Sequence, residues 1–435
     1  MSEETLDEAE LPTAIPVSAP REGLPATITT DDQLAELVAA IERGTGPVAL
    51  DAERASGFKY SQRAYLIQIR REGSGSHLID PINFSNLGKL QTALDGVDWI
   101  LHAASQDLVC LAEVGLRPTA SLFDTELAGR LLGFPRVGLG AMIESQLGFA
   151  LAKEHSAADW STRPLPESWL NYAALDVEFL IELWELLAQQ LRDEEKFEWA
   201  LQEFDHVKTT TTAIERVDPW RRTSGMHAVR KPRELAVIRE VWQARDEIAR
   251  ERDTAAGRIL SDSHIVTLAA SGLSKSSELR QLSFMHLRNV KRNADVWIEA
   301  TVAAHALADS DLPPLKLPST APPPPRNWEV RNPEAWKRLE YARSEVSKVA
   351  EQLGMPVENL MTPDTIRRLL WTPPDSELEV SPALLELGAR QWQIDIVGPI
   401  METAIWNRPV KVAKPAATEA DSDQPDSETE VASEL

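Results

Sequence analysis

The 435-residue chain has one cysteine, Cys110. A lone thiol excludes an internal disulfide framework and a cysteine-rich zinc site, and points to a reduced, cytoplasmic setting. No run approaches the ~18–20 consecutive apolar residues of a membrane-spanning helix, so no membrane contact is expected. The opening MSEETLDEAE lacks the basic start and apolar core of a secretory signal. Bases are absent near both ends: residues 1–20 carry five acids and residues 415–435 seven, with no Lys or Arg in either stretch. Such segments read as solvated and disordered.

The rest has globular composition, 43% hydrophobic and 26% charged, which excludes a wholly disordered chain. The length predicts roughly two to four domains. A formal charge of −23 looks unsuited to a protein of nucleic acid, but it is unevenly spread. Residues 215–305 hold 16 Lys and Arg against 12 Asp and Glu, whereas residues 21–214 carry about −13. Local charge matters more than the total to a polyanion.

The N-terminal part alternates strand and helix signals. Asp31-Asp32 is placed to cap a helix over Gln33–Arg43, with Leu34, Leu37, Val38 and Ile41 on one face. Strands are predicted at Pro47–Asp51, Ala64–Arg70, Ser76–Asp80 and Asp98–His102, with a helix at Leu87–Leu94. Hairpin-length links join the first three strands and helical links the later ones, which predicts a mixed sheet flanked by helices. From Pro166 onward the apolar spacing is helical. A proline-rich stretch at 312–325 reads as an extended linker that leaves the last helical segment free to move. Two helical segments, 232–305 and 328–406, share a layout at a spacing of about 100 residues, consistent with a duplicated domain. The expected boundaries are an acidic tail at 1–22, an α/β domain at 23–210, a helical domain at 211–310, a linker at 311–326, a second helical domain at 327–410 and an acidic tail at 411–435.

The strongest chemical signal is Asp51-Ala-Glu53 at the end of an apolar strand. A two-residue period puts both carboxylates on one face, where they repel unless a hard cation sits between them. Asp107 lies where a strand feeds a helix, and Tyr172 and Asp176 share a helix face at i,i+4. Each has a plainer reading alone: solvent-facing strand-end acids, a helix cap, a half-buried core aromatic.

Together and in this order, Asp51-Ala-Glu53, His102-Ala-Ala-Ser-Gln-Asp107 and Tyr172-Ala-Ala-Leu-Asp176 resemble the motifs of the DEDD 3′–5′ exonucleases. The tyrosine four residues before the last aspartate is similar to the DEDDy subgroup, and within it to the ribonuclease D family. Ser156–Leu165, including Asp159-Trp-Ser-Thr-Arg-Pro164, resembles the segment that precedes the third motif there. The resemblance covers roughly residues 25–205 and departs mildly, with Ala52 where many members carry Thr. It implies a ribonuclease H-like mixed sheet and a two-metal phosphodiesterase using Mg²⁺ or Mn²⁺, two ions per site. By that resemblance Asp51 bridges both ions, Glu53 and Asp176 complete one, Asp107 helps hold the other, and Tyr172 orients the attacking water. Arg54, His102 and Trp160 are expected to contact substrate, although an exposed structural role for Arg54 stays open.

Residues 228–306 resemble an HRDC domain, a helical module associated with nucleic-acid binding, and 328–406 resembles a second, diverged one. Local support is the basic excess and the clusters Arg221-Arg222, Arg230-Lys231-Pro-Arg233 and Arg288-Asn-Val-Lys291-Arg292, each of which also reads as a solvated helix face. The fold class expected is thus an α/β domain followed by two small all-α domains. The function implied is an exoribonuclease that releases nucleoside 5′-monophosphates from RNA with a free 3′ end, tRNA precursors being the family's usual substrate, with no obligate protein partner. The alternatives are a DNA 3′–5′ exonuclease and a catalytically inactive nucleic-acid-binding protein on the same scaffold.

Overall fold

The computed structural model describes residues 14–152, 158–212, 216–319 and 321–406. The C-terminal acidic tail, the first thirteen residues, and Ser156 and Ala157 of the segment before the third motif lie outside them.

Two short strands, β1 (Ile15–Val17) and β2 (Thr27–Ile28), precede helix α1 (Asp31–Arg43). The cap of α1 is Thr30 rather than the aspartates: its hydroxyl accepts from Gln33 N–H, while the Gln33 side chain accepts from Thr30 N–H at 3.1 Å. Asp31 and Asp32 fall in the first turn, where negative charge complements the helix dipole. The strands β3 (Thr45–Arg54), β4 (Ala64–Glu72) and β5 (Gly75–Ile79) form an antiparallel meander. Helix α2 (Gly88–Leu94), β6 (Trp99–Leu101), α3 (Leu108–Glu113) and β7 (Leu122–Asp124) complete a six-stranded sheet in the order β2-β5-β4-β3-β6-β7. Its β3–β6 and β6–β7 pairs are parallel, so the sheet is mixed as expected. The central strand β3 runs three residues beyond its predicted end, because pairing with β4 continues to Arg54 opposite Ala64.

Helices α4 (Thr125–Leu131) and α5 (Leu139–Leu147) lead to β8 (Phe149–Leu151), which pairs in parallel with β1. The expected N-terminal tail therefore reaches too far. Ile15–Val17 is part of a small sheet, and Arg21 pairs with the buried Glu178 at 2.7 Å. The apolar stripe after Pro166 is two helices, α6 (Glu167–Glu178) and α7 (Leu180–Asp193), followed by α8 (Phe197–Thr210).

Alternation along β3 divides the domain. Val48, Leu50 and Ala52 face a core with Leu34, Leu37 and Ile41 of α1 and Leu90 of α2. Ala49 faces the opposite core, which holds Leu180, Leu183 and Leu187 of α7. No helix among the described residues is long and apolar enough to cross a membrane.

The first helical domain opens with α9 (Pro232–Glu251) and α10 (Ala256–Ile259) and has a core of its own, with Leu235, Ile238, Val241 and Trp297. The last domain does not. Its helices Pro333–Gln352 and Gln391–Trp406 share one continuous core with α4, α7 and α8. Trp392 stacks on Trp199 at 5.0 Å, and Glu203 accepts from Arg390 at 2.6 Å and from the Trp392 indole at 2.8 Å. The free movement suggested by the proline-rich linker is thus replaced by a docked domain. A linker's composition says how the chain crosses, not what the next domain buries.

One buried cation fastens the joint. The Lys196 ammonium donates to the carbonyls of Leu131 at 2.9 Å and Leu353 at 2.7 Å, and pairs with Glu194 at 2.7 Å. Those carbonyls end α4 and Pro333–Gln352, where helix termini leave acceptors unpaired and favour positive charge. Beside it, Gly133 sits at φ +72, and a Cβ there would lie 1.8 Å from the Gly354 carbonyl oxygen. Gly133→Ala is therefore expected to cost ~2–4 kcal/mol in urea unfolding. Gly140→Ala, in α5 with open space around it, is expected to stabilise by about 0.5–1 kcal/mol. Equal effects of the two substitutions would show that the joint is not closely packed.

Candidate active site

The carboxylates come from three elements. Asp51 and Glu53 lie on β3, on the face that α6 covers, while Ala52 is buried on the other face. Asp176 and Tyr172 lie on α6, whose C-terminal end is fixed by Glu178 between Arg21 at 2.7 Å and Arg70 at 3.5 Å. Asp107 follows β6, where the chain makes a sharp turn through Ala103 at φ +56, a left-handed conformation unfavourable for a residue with a side chain. Asp124, at the end of β7, holds this turn. Its carboxylate accepts from the N–H groups of Ala103 at 3.1 Å and Ala104 at 2.8 Å, and caps α4 through Glu126 and Leu127.

These pieces meet in one cleft of about 440 Å³ lined by Asp51, Glu53, Asp107, Tyr172 and Asp176, together with Arg54 and His102. Oxygens of Asp51, Glu53 and Asp176 lie within 4.8 Å of one another. Asp107 lines the same cleft outside that group. Arg54 reaches the cleft although strict alternation would turn it away with Ala52. The β3–β4 register slips between Glu53 and Arg54, and such irregularities re-aim side chains.

The electrostatics is strained in the direction a bound cation would relieve. Burial pushes Asp51 up from 3.8 to about 6, against the pull of the Ala52 N–H and Arg54. Burial raises Glu53 well above its ordinary value, and Asp51, Asp176 and Asp107 raise it further. Asp107 and Asp176 are raised for the same two reasons, burial and then Asp51. Opposite Asp51 in the β3–β4 register stands Gln68, wholly buried, with neither amide atom hydrogen-bonded among the described residues. Oxygen-only donors, uncompensated charge and an orphaned buried amide beside them fit a hard divalent cation with its water shell. Asp51, Glu53 and Asp176 are the residues placed to hold it.

Tyr172 is half-buried, and burial followed by Asp176, Glu53 and Asp51 raises its phenol above 10. In the metal-free protein it therefore stays protonated near pH 7 and can donate a hydrogen bond. His102 bonds Thr125 through Nδ1 at 2.9 Å, and burial lowers it to about 4, so it is a neutral cleft wall near pH 7. Trp160 corrects the sequence expectation. It is wholly buried against Tyr65, Leu66 and Ala173, edge-on to Trp169 at 5.5 Å, and cannot reach a substrate. The segment around it is held by Arg163, which is bidentate to Asp80 at 2.7 and 2.8 Å. Asp124 and Gln68 were not foreseen as site residues. A lone acid at a strand end or a lone amide within a strand has no partner to set a spacing, and only the turn and the register show what each faces.

The raised carboxyls make a signed prediction for the metal-free protein. Between pH ~4 and ~6 folded Asp51 keeps a proton that the unfolded chain has released, so stability falls as pH rises through that window. Asp176→Asn removes one repelling charge. In urea unfolding with EDTA it is expected to stabilise by ~0.5–2 kcal/mol at pH 7.5, with a smaller gain at pH 5. A loss of stability at pH 7.5 would show that the carboxylates do not repel.

The sequence profile of the 3′–5′ exonuclease family matches residues 25–192, and that of the HRDC domain matches 234–301. Residues 321–405 match the 3′ to 5′ exonuclease C-terminal domain, so the second helical domain is not HRDC. The helical layout that suggested a duplication does recur, with a 20-residue helix, a four-residue helix and a capped helix in each. The faces differ, because one domain closes a core of its own and the other buries its helices on α7 and α8. A curated ribonuclease D of Pseudomonas paraeruginosa is 30% identical over 367 residues, 82% of this chain and 92% of that protein. Among solved structures, a Bifidobacterium adolescentis protein superposes with a TM-score of 0.83 at 37% identity, covering 90% of this chain and 99% of that one. Escherichia coli ribonuclease D, described as an exoribonuclease involved in structured RNA processing, superposes at 0.65 with 25% identity, covering 88% and 99%. With a 3′–5′ exonuclease domain, an HRDC domain and these relatives along most of its length, the chain belongs to the ribonuclease D family.

Proposed function

We propose that the protein is a metal-dependent exoribonuclease that removes nucleoside 5′-monophosphates one at a time from the 3′ end of structured RNA, tRNA precursors being the expected class. The observation that carries this is the meeting of Asp51, Glu53 and Asp176 within 4.8 Å, in the same cleft as Asp107 and Tyr172. These carboxylates would hold divalent cations, which would supply positive charge for the attacking and leaving oxygens of phosphodiester hydrolysis. The protein's own groups do the rest. Asp51, Glu53 and Asp176 fix the position of that charge, and Asp107 extends the carboxylate wall along the cleft. Tyr172, protonated at neutral pH, orients the attacking water through its hydroxyl. Arg54 reaches the cleft as a cation able to meet a phosphate, and neutral His102 shapes the wall near the turn to Asp107. Water adds to the terminal phosphorus and the 3′ oxygen of the preceding nucleotide leaves, so the shortened strand regains a 3′-hydroxyl.

The test is incubation of a 3′-extended RNA and its DNA counterpart with Mg²⁺, with Mn²⁺ and with EDTA, beside an Asp51→Ala control. The expected result is stepwise 3′ shortening of the RNA, abolished by EDTA and slowed at least roughly 100-fold by the substitution. Faster shortening of the DNA would overturn the choice of RNA. Binding without cleavage under any metal would overturn the enzyme.

A further inference from the structure

Phe58 is a half-buried aromatic that belongs to none of the four hydrophobic cores formed by the described residues. It lies instead on the wall of the catalytic cleft, in the loop that follows β3, among acids and polar groups. Its back is closed by the HRDC domain. The Arg258 guanidinium, on α10, stacks over the ring at 3.9 Å from its centroid and donates to the Gly57 carbonyl at 2.7 Å. The N–H of Ala255 donates to the Phe58 carbonyl at 2.9 Å. Asp253, in the same turn, accepts from Ser61 N–H at 2.9 Å and from the Tyr65 hydroxyl at 3.2 Å. A loop that would otherwise be an exposed β3–β4 connection is thus bonded along its length to the neighbouring domain.

These contacts join the HRDC domain to the loop, but the joint does not require an aromatic ring on the cleft wall. A phenyl ring facing polar cleft walls gains little from burial there, while a π-face fixed from behind is what an unpaired base stacks on. We infer that Phe58, backed by Arg258, is the stacking platform for a nucleobase at the 3′ end of the substrate, so that the HRDC domain builds one wall of the nuclease site. The inference rests on the nuclease reading above. It adds the ligand group, an unpaired base of any identity, and the residue that receives it. Because stacking takes every base, the platform favours a frayed or single-stranded 3′ end without selecting its sequence.

The experiment compares two 12-residue RNA strands that differ only in carrying a base, or a ribose with no base, at the 3′-terminal position. The quantity read is the ratio of kcat/KM for the two strands. The wild type is expected to favour the base-bearing end roughly 10-fold, a typical value of one stacked base. Phe58→Ala is expected to bring the ratio close to unity. Phe58→Trp restores it, and Phe58→Leu, which keeps bulk without a π-face, does not. Arg258→Ala lowers the ratio part of the way, since the ring stays but is no longer held. A ratio unmoved in Phe58→Ala, with both strands slowed together, would overturn the platform and leave Phe58 a packing residue. Anisotropy binding of the same strands with Ca²⁺ reads the ratio without turnover. A protein that cuts neither strand but shows a Phe58-dependent binding ratio refutes the nuclease reading and keeps the platform. Cleavage with an unmoved ratio does the reverse.

Discussion

Asp107 is buried and Asp51, Glu53 and Asp176 are half-buried, and these acids are drawn toward one another against their own repulsion, with Arg54 offsetting only part of it. Nothing local keeps such groups together; the scaffold must. Two of them ride on the central strand β3, whose neighbours on both sides fix its register. A third is carried by α6, which covers that strand. The fourth stands after a left-handed turn that Asp124 holds through backbone N–H groups. The cost of assembling like charges is met by the packing of the whole α/β domain, and a cation entering the cleft would recover it.

The contrast with Glu178 makes the point within a single helix. Two residues beyond the half-buried Asp176, Glu178 is wholly buried, and Arg21 and Arg70 flank it. One acid of α6 is compensated by the protein and serves to anchor the helix. The other is left uncompensated and faces the cleft. A structural acid brings its counterion with it, whereas a metal-binding acid leaves that place open.

The helical domains stand in different relations to this scaffold. The C-terminal domain continues the nuclease core, sealed by Lys196 at two helix ends and by the close approach of Gly133 to Gly354. The HRDC domain keeps its own core and reaches across with polar bonds to the loop beside the cleft. The first relation supports, through α7 and α8, the same face of the sheet that carries Asp51 and Glu53. The second braces the loop that lines the cleft, which is why the mild basic excess of that domain matters less than where its α9–α10 turn is placed.

Much of the site was legible in the sequence because it depends on short-range regularities. A two-residue strand period puts Asp51 and Glu53 on one face, and an i,i+4 interval aligns Tyr172 with Asp176 whatever else the chain does. The mixed sheet and the helical second half follow from periodicity and connection length in the same way. Strands of two or three residues, such as Ile15–Val17 and Thr27–Ile28, are too short to show a period. Trp160 carried no mark of its burial, since the same indole serves a core or a surface. The docking of the last domain, the Arg54 side chain returned to the cleft by a register slip, the unpaired Gln68 and the clamp on Phe58 all join residues distant in sequence or turn on exact strand pairing. Local sequence determined which groups share a face. Only the tertiary structure decided which faces meet, because that depends on what each surface buries against the others.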